Sequence, residues 1–200
     1  FAKVDPVPKL DDEKKEVTMT FLVDPGKRVY VRHVTFAGVT RTNDVVLRRE
    51  MRQLEGAWVS NMLLERSKQR IQQLPYIEKV EFEKTKVEGS DDLVDVEYTV
   101  KEGPSAQLSG GIGYSASSSF MLNGSYADSN FMGTGNRVAA EINAGQYSKV
   151  FSLAHTDPYT TIDGVARTVS ATYRRIEQYT TASSVFETET GTLGVDYGWP

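Results

Sequence analysis

Two hundred residues with a net charge of −4 and 39% apolar residues allow one large domain or two modest ones, and acidity without a basic stripe excludes a nucleic-acid surface. Cysteine is absent, which removes disulfides and thiolate metal sites, and no apolar run approaches the ~18 residues of a membrane helix. A membrane β-barrel survives both exclusions, because its strands are short and alternate in polarity.

The composition changes sharply along the chain. Residues 1–103 hold 37 of the 50 charged residues, whereas residues 104–200 hold 13 of them and 11 of the 16 glycines. A two-part chain is expected, with the change falling inside "YTVKEGPSAQLSGGIGYSASSSF" (98–120).

"KRVYVRHVTFAGV" (27–39) alternates through Val29, Val31, Val34 and Phe36 and stops at Gly38, which predicts a strand closed by a turn. The period then changes. In "RTNDVVLRREMRQLEG" (41–56), Leu47, Met51 and Leu54 fall at helical spacing, Thr42 or Asn43 can cap, and Gly56 marks the stop. Arg48, Arg49, Arg52 and Glu55 would form its charged face, of the kind most often simply solvated. A second helix is predicted after Ser60, with Leu64, Ser67, Ile71 and Leu74 inward and Pro75 ending it. "YIEKVEFEKTKV" and "LVDVEYTVKEG" then alternate as two strands around the turn-rich "EGSDD". The order βααββ gives a layered α+β module at 25–103.

"FLVDPGKRVYV" (21–31) and "YTVKEGPSAQL" (98–108) share an aromatic-x-Val, a Gly and a following strand start, with Val23 and Val100 77 residues apart. Residues 1–24 are accordingly expected to be the C-terminal strands of a preceding copy.

From Ser105 the period is two. Leu108, Ile112 and Tyr114 alternate with Gln107, Ser109, Gly111 and Gly113; Phe120, Leu122 and Tyr126 share a face. Val138, Ala140 and Ile142 oppose Arg137, Glu141 and Asn143, and Leu193, Val195, Tyr197 and Trp199 oppose Thr192 and Asp196, so charges keep to one side. Either a soluble sheet with one buried face or a barrel with lipid outside and a polar lumen would alternate in this way. The turns "NFMGTG" (130–135) and "DPYTTIDG" (157–164), with Phe131 and Tyr159 as interfacial aromatics, favour the barrel. The 97 residues from 104 to 200 make roughly six antiparallel strands at about 10 residues each, fewer than the smallest closed barrels need.

No catalytic constellation is present. His33 and His155 are far apart and lack a third ligand, Asp91 and Asp92 belong to a turn, and Ser115–Ser119 has no nearby histidine. "GTGNR" lacks the lysine of a phosphate-binding loop, and no cofactor or enzymatic activity is expected.

The "VRHVTFAGVTRTNDVVLRREM" opening, the "GAWVSNMLLERSKQRIQQLPYIEKVEFE" middle and the "VDVEYTVKEG" exit resemble the last POTRA domain of the BamA family of Omp85-type outer-membrane assembly factors. One departure is Pro75, where that family often has Gly. The resemblance implies an outer-membrane location, with the POTRA domain in the periplasm of a Gram-negative cell and residues 104–200 forming the first barrel strands in outer-membrane lipid. Its implied function is folding and inserting β-barrel proteins by strand templating, with unfolded outer-membrane proteins as clients. It further implies that a client strand pairs with Gln107, Leu108, Ser109, Gly110, Gly111, Ile112, Gly113 and Tyr114, whose glycines weaken the strand and loosen its register. Arg48, Arg49, Arg52 and Glu55 would dock a periplasmic lipoprotein of the assembly complex. Two alternatives are a two-partner secretion transporter of the same superfamily and a soluble adapter joined to an adhesin-like sheet.

Overall fold

The computed structural model describes residues 3–11, 16–24, 28–115, 119–179 and 185–199. The chain forms two compact units: residues 1–37, 50–71 and 80–100 make the first, and residues 38–49, 72–79 and 101–200 the second. Among the described residues no helix is long and apolar enough to cross a membrane.

The first unit begins with an antiparallel pair, β1 (Lys3–Asp11) and β2 (Glu16–Asp24). Part of the repeat proposed around Gly26 lies outside the described residues. A three-stranded sheet follows, formed by β3 (Tyr30–Ala37), β4 (Ile77–Lys86) and β5 (Leu93–Glu102) in the order β3-β5-β4. The parallel pair β3–β5 is connected through two helical segments, α1 (Asp44–Arg48) and α2 (Asn61–Gln72), and then through β4. Ile77–Lys79 of β4 and Lys101–Glu102 of β5 belong to the second unit, as does α1.

Local sequence accounts for much of this. Val31 and Val34 are both buried although they are three positions apart, because a register shift between them in the β3–β5 pairing turns the strand. Helix α2 starts where the Ser60 hydroxyl accepts the Leu63 N–H at 3.4 Å, and it buries Leu64, Ser67 and Ile71. Leu74 is only half-buried.

The long helix expected over 41–56 is not formed. Helix α1 has five residues, Asn43 occupies its N-cap position without a side-chain cap bond, and Leu54 is 66% exposed. The cause lies elsewhere in the chain. The Ser67 hydroxyl accepts the N–H groups of Arg52 at 2.8 Å and Gln53 at 3.2 Å, so these amides turn away from a helical ladder. The buried Gln53 amide also donates to the carbonyls of Leu54 and Trp58 and accepts the Ser60 N–H, holding 54–60 as an ordered loop.

Tyr98 is at the centre of the first unit's core. It is fully buried, as are Val31, Val96 and Leu64, with the rings of Phe36 and Phe82 at 5.9 and 5.5 Å. Its hydroxyl donates to the Leu64 carbonyl at 3.1 Å. Burial pushes the phenol up to about 12, with Ser67 opposing and Glu65 adding to the shift.

In the second unit, β6 (Ala106–Ser115), β7 (Ser119–Phe131), β8 (Asn136–Gly145), β9 (Ser148–Asp157), β10 (Ala166–Tyr179) and β11 (Val185–Gly198) form one antiparallel meander in sequential order. Six strands are present, as expected. The register aligns Leu108, Tyr126, Ala140, Leu153, Ala171 and Leu193 across one face, and Ser109, Ser125, Glu141 and Ser152 across the other. Charge is not confined to the second face. Alternation from Leu193 places Glu189 and Glu187 on the apolar side, where Arg175 meets Glu187 at 2.6 Å. These residues lie at the ends of the strands remote from the 132–135 turn, past the apolar rows. Ala116–Ser118, the middle of the serine stretch, lie outside the described residues.

Replacing Tyr98 by Phe removes one buried hydrogen bond and keeps the ring, so it should cost about 1 kcal/mol, whereas Tyr98→Ala should cost about 3–5 kcal/mol. Urea unfolding followed by Trp58 fluorescence in a Trp199→Phe background measures both. Equal costs would refute the division between ring and hydroxyl.

Candidate functional site

The first candidate is strand β6. It lies at one end of the six-stranded order and pairs only with β7 among the described residues, in unbroken register from Ala106–Asp128 to Ser115–Ser119. Gln107, Leu108, Ser109, Gly110, Gly111, Ile112, Gly113 and Tyr114 therefore form one continuous edge segment. Leu108 and Ile112 are about 80% exposed on its apolar side. A Cβ at Gly111 would meet nothing within 4 Å, so the space over the backbone there is open.

The second candidate, the charged helix face, is not a single face. Arg48 and Arg49 belong to the second unit, and Arg52 and Glu55 to the first, because α1 ends before the third of them. Arg48 pairs with Asp44 one turn earlier at 2.5 Å. The Arg49 guanidinium lies 4.4 Å from the centre of the Tyr159 ring, which gives that turn aromatic a protein partner. Arg52 is exposed and donates to the Met51 carbonyl at 3.1 Å. The Glu55 carboxylate accepts the Val34 N–H at 2.8 Å. Together with the Val31 N–H, which bonds to the Ala57 carbonyl at 2.9 Å, this bond occupies the outer edge of β3.

A third site escaped the sequence reading. Glu102, the last residue of β5, receives the N–H groups of Thr40, Arg41 and Thr42 at 2.9, 3.0 and 2.8 Å and the Thr40 hydroxyl at 2.9 Å. Three successive amides facing one carboxylate make an anion nest filled by the chain itself. Arg41 reaches past it to the Gly103 carbonyl at 2.7 Å, and the Gly103 N–H bonds to the Tyr76 carbonyl at 2.9 Å. Asn130, buried at the end of β7, donates to the Thr42 hydroxyl and accepts the Gly135 N–H, both at 2.8 Å. The Asn43 N–H donates to the Gly133 carbonyl at 2.8 Å.

Glycine is required in this turn. Gly133 and Gly135 have φ of +75° and +71°, and a Cβ would come within 2.0 Å of the Arg41 carbonyl oxygen and 2.4 Å of an Arg49 nitrogen, respectively. Thr42, expected as a helix cap, is used instead as a partner of Glu102 and Asn130. The visible clue was "NFMGTG", whose paired glycines announce left-handed backbone; Glu102 looked like one more charge at the end of a charged strand.

Burial would push the Glu102 carboxyl up, but the hydroxyl and N–H groups of residues 40–42 outweigh it and hold the group at about 2. Among the described residues, no group of three or more His, Cys, Asp or Glu could hold a metal.

Comparison with known proteins places this geometry in a family. The POTRA model, described as a surface antigen variable number repeat, matches residues 29–103, and the Omp85 superfamily domain matches residues 130–200. The chain belongs to the Omp85 superfamily. Within it, the chain is 29% identical to the outer membrane protein assembly factor BamA of Neisseria meningitidis serogroup B, over 97% of this chain and 24% of that protein. BamA from Haemophilus ducreyi lacking POTRA domains 1–3 superposes with a TM-score of 0.82 and 35% identity, over 96% of this chain and 37% of that one. CdiB from Acinetobacter baumannii, at 9% identity and a TM-score of 0.56, shares the fold alone. The chain thus spans well under half the length of the relatives it matches. Its Omp85 elements are a POTRA domain followed by six barrel-type strands.

Protonation of Glu102 should release the nest. Its folded pKa lies below the ordinary value of 4.5, so the stabilisation is fully present above that value and is lost as pH falls through about 2. Hydrogen exchange should show the Thr40, Arg41 and Thr42 amides still protected at pH 4 and unprotected near pH 2, and unprotected at every pH in Glu102→Ala. Protection in Glu102→Ala equal to that of the parent would exclude the nest. Gly133→Ala, with strain of roughly 1–3 kcal/mol from its backbone alone, should also expose the Asn43 amide.

Proposed function

We propose that this segment is the membrane-proximal POTRA domain and first six barrel strands of an outer-membrane β-barrel assembly factor. The observation carrying the reading is the match to BamA from H. ducreyi across nearly the whole segment at 35% identity, against 9% and 16% for CdiB from A. baumannii and Escherichia coli. The strands lie in the outer membrane and the POTRA domain in the periplasm, with residues 1–24 as the end of a preceding POTRA domain.

The work is binding and templating, without an enzymatic step or cofactor. Each backbone group left unpaired in lipid costs several kcal/mol, so an unfolded outer-membrane client gains by pairing with a strand already in place. The β6 edge at 107–114 offers that strand. On the POTRA sheet the β3 edge is occupied by Glu55 and Ala57, which leaves β4 for strand addition. A periplasmic lipoprotein docks through Arg48, Arg49, Arg52 and Glu55; Arg48 and Arg52, both exposed, offer charge to it directly.

The full-length protein in liposomes should accelerate folding of a urea-unfolded barrel client by roughly tenfold or more, about 1.4 kcal/mol of barrier, as read by heat-resistant gel mobility. Folding no faster than in empty liposomes would reject the assembly reading. Arg48→Glu with Arg52→Glu should weaken lipoprotein capture by roughly tenfold or more with unchanged thermal unfolding; undiminished capture would remove the docking role.

A further inference from the structure

The polar face beside the β6 edge holds a carboxylate, that of Glu141, set among neutral side chains. Glu141 of β8 stands in a row with Ser125 of β7 and Ser109 of β6 on one side and Ser152 of β9 on the other. Its only hydrogen bond is donated by the Asn143 amide at 2.7 Å, and it makes no ion pair among the described residues. Every group directly opposite it on the neighbouring strands is neutral.

Glu141 shares a concavity of about 380 Å³ with Asn143, Asn123, Ser125, Ser109 and Gly111. The trough runs from the carboxylate across small side chains to the β6 edge. Ser109 and Ser125 are joined by a 2.6 Å hydrogen bond, which keeps their hydroxyls low, and the space over Gly111 is open. Strands are spaced about 4.8 Å apart, so a strand added to β6 would lie three spacings, roughly 14 Å, from β8. An extended arginine and an extended glutamate together cover that distance, whereas shorter side chains do not.

We propose that Glu141 reads a basic side chain, arginine above all, on the polar face of the client strand that pairs with β6, at the position opposite Ser109. The inference rests on β6 as the client-pairing edge and deepens it by naming what sets the register. A glycine-rich strand specifies register weakly through its own side chains. A single charge two strands inward supplies the missing discrimination, because a slip of two residues carries the client's guanidinium past the trough and strands it opposite neutral groups.

The test maps register by disulfide crosslinking in the full-length protein in membranes. Gln107→Cys in β6 is combined with cysteines scanned along the last strand of a barrel client that carries one arginine there, and with client versions in which that arginine is moved by two residues. With Glu141 intact, the crosslink maximum should move with the arginine. In Glu141→Gln it should stop following it, the preference for the matched register falling roughly two- to fivefold, as for an opposite-charge cross-strand pair. Glu141→Lys with a client glutamate should restore it. Efficient crosslinking whose register ignores Glu141→Gln would overturn the role of Glu141 while leaving β6 as the edge. Absence of crosslinking to Gln107→Cys at any client position, with the protein folded and inserted, would overturn the edge reading and this inference with it.

Discussion

The interaction on which the second unit depends is the enclosure of one carboxylate by three consecutive amides. Glu102 brings residues 40–42 to the start of the barrel strands, Thr42 passes the connection to Asn130, and Asn130 holds the turn that begins β8 through the Gly135 N–H. A loop after β3, the end of β5 and the β7–β8 turn become one body, in which these polar bonds stand beside the buried Val46, Leu47, Tyr76 and Ile77. Charge-assisted bonds add direction to this packing, because a carboxylate with several N–H donors stays ionised at all physiological pH values. The division of the chain follows these bonds: 38–49 and 72–79 join the strands, although a sequence-based domain boundary falls at about residue 103.

The sheet obeys a simpler rule. Period-two alternation sorts side chains onto two faces, and unbroken pairing from β8 to β11 keeps each set together over four strands. Apolar rows suit hydrocarbon, and rows of Ser, Thr and Asn suit a wet interior. The Arg175 cluster shows where that rule ends: with Glu177, Glu187 and Glu189 around it, a charged patch occupies the apolar side once the strands have passed the apolar rows.

What could be read from sequence was local. The strand alternation, the α2 face of Leu64, Ser67 and Ile71, and the glycine turn at 133–135 all express relations between residues a few positions apart. The losses came from partners far along the chain. The helix expected over 41–56 stops short because the Ser67 hydroxyl takes the Arg52 and Gln53 amides, and no period in 41–56 announces a hydroxyl 15 residues away. Val31 and Val34 both face inward through a register shift that belongs to the pairing with β5 and not to β3 alone. Glu102 finds its donors some 60 residues back, and its role was invisible for the same reason.

The treatment of strand edges ties the two units to one purpose. An exposed edge invites pairing with any extended chain, and proteins ordinarily block such edges. Here β3 is blocked by the chain itself, through Glu55 on the Val34 amide and Ala57 on the Val31 amide. Strand β4 is left at its sheet edge but carries charges of both signs, Glu78, Lys79, Glu81, Glu83 and Lys84, which discourage indiscriminate association while permitting complementary strands. Strand β6 has neither protection: Ala106–Ser115 contains no charge and three glycines. Of these three edges one is covered, one is charged and one is smooth, and it is the smooth one that the proposed client pairing uses. On that proposal a strand with so little side-chain identity of its own must take its discrimination from groups beyond it, which the incoming chain would meet only when correctly placed.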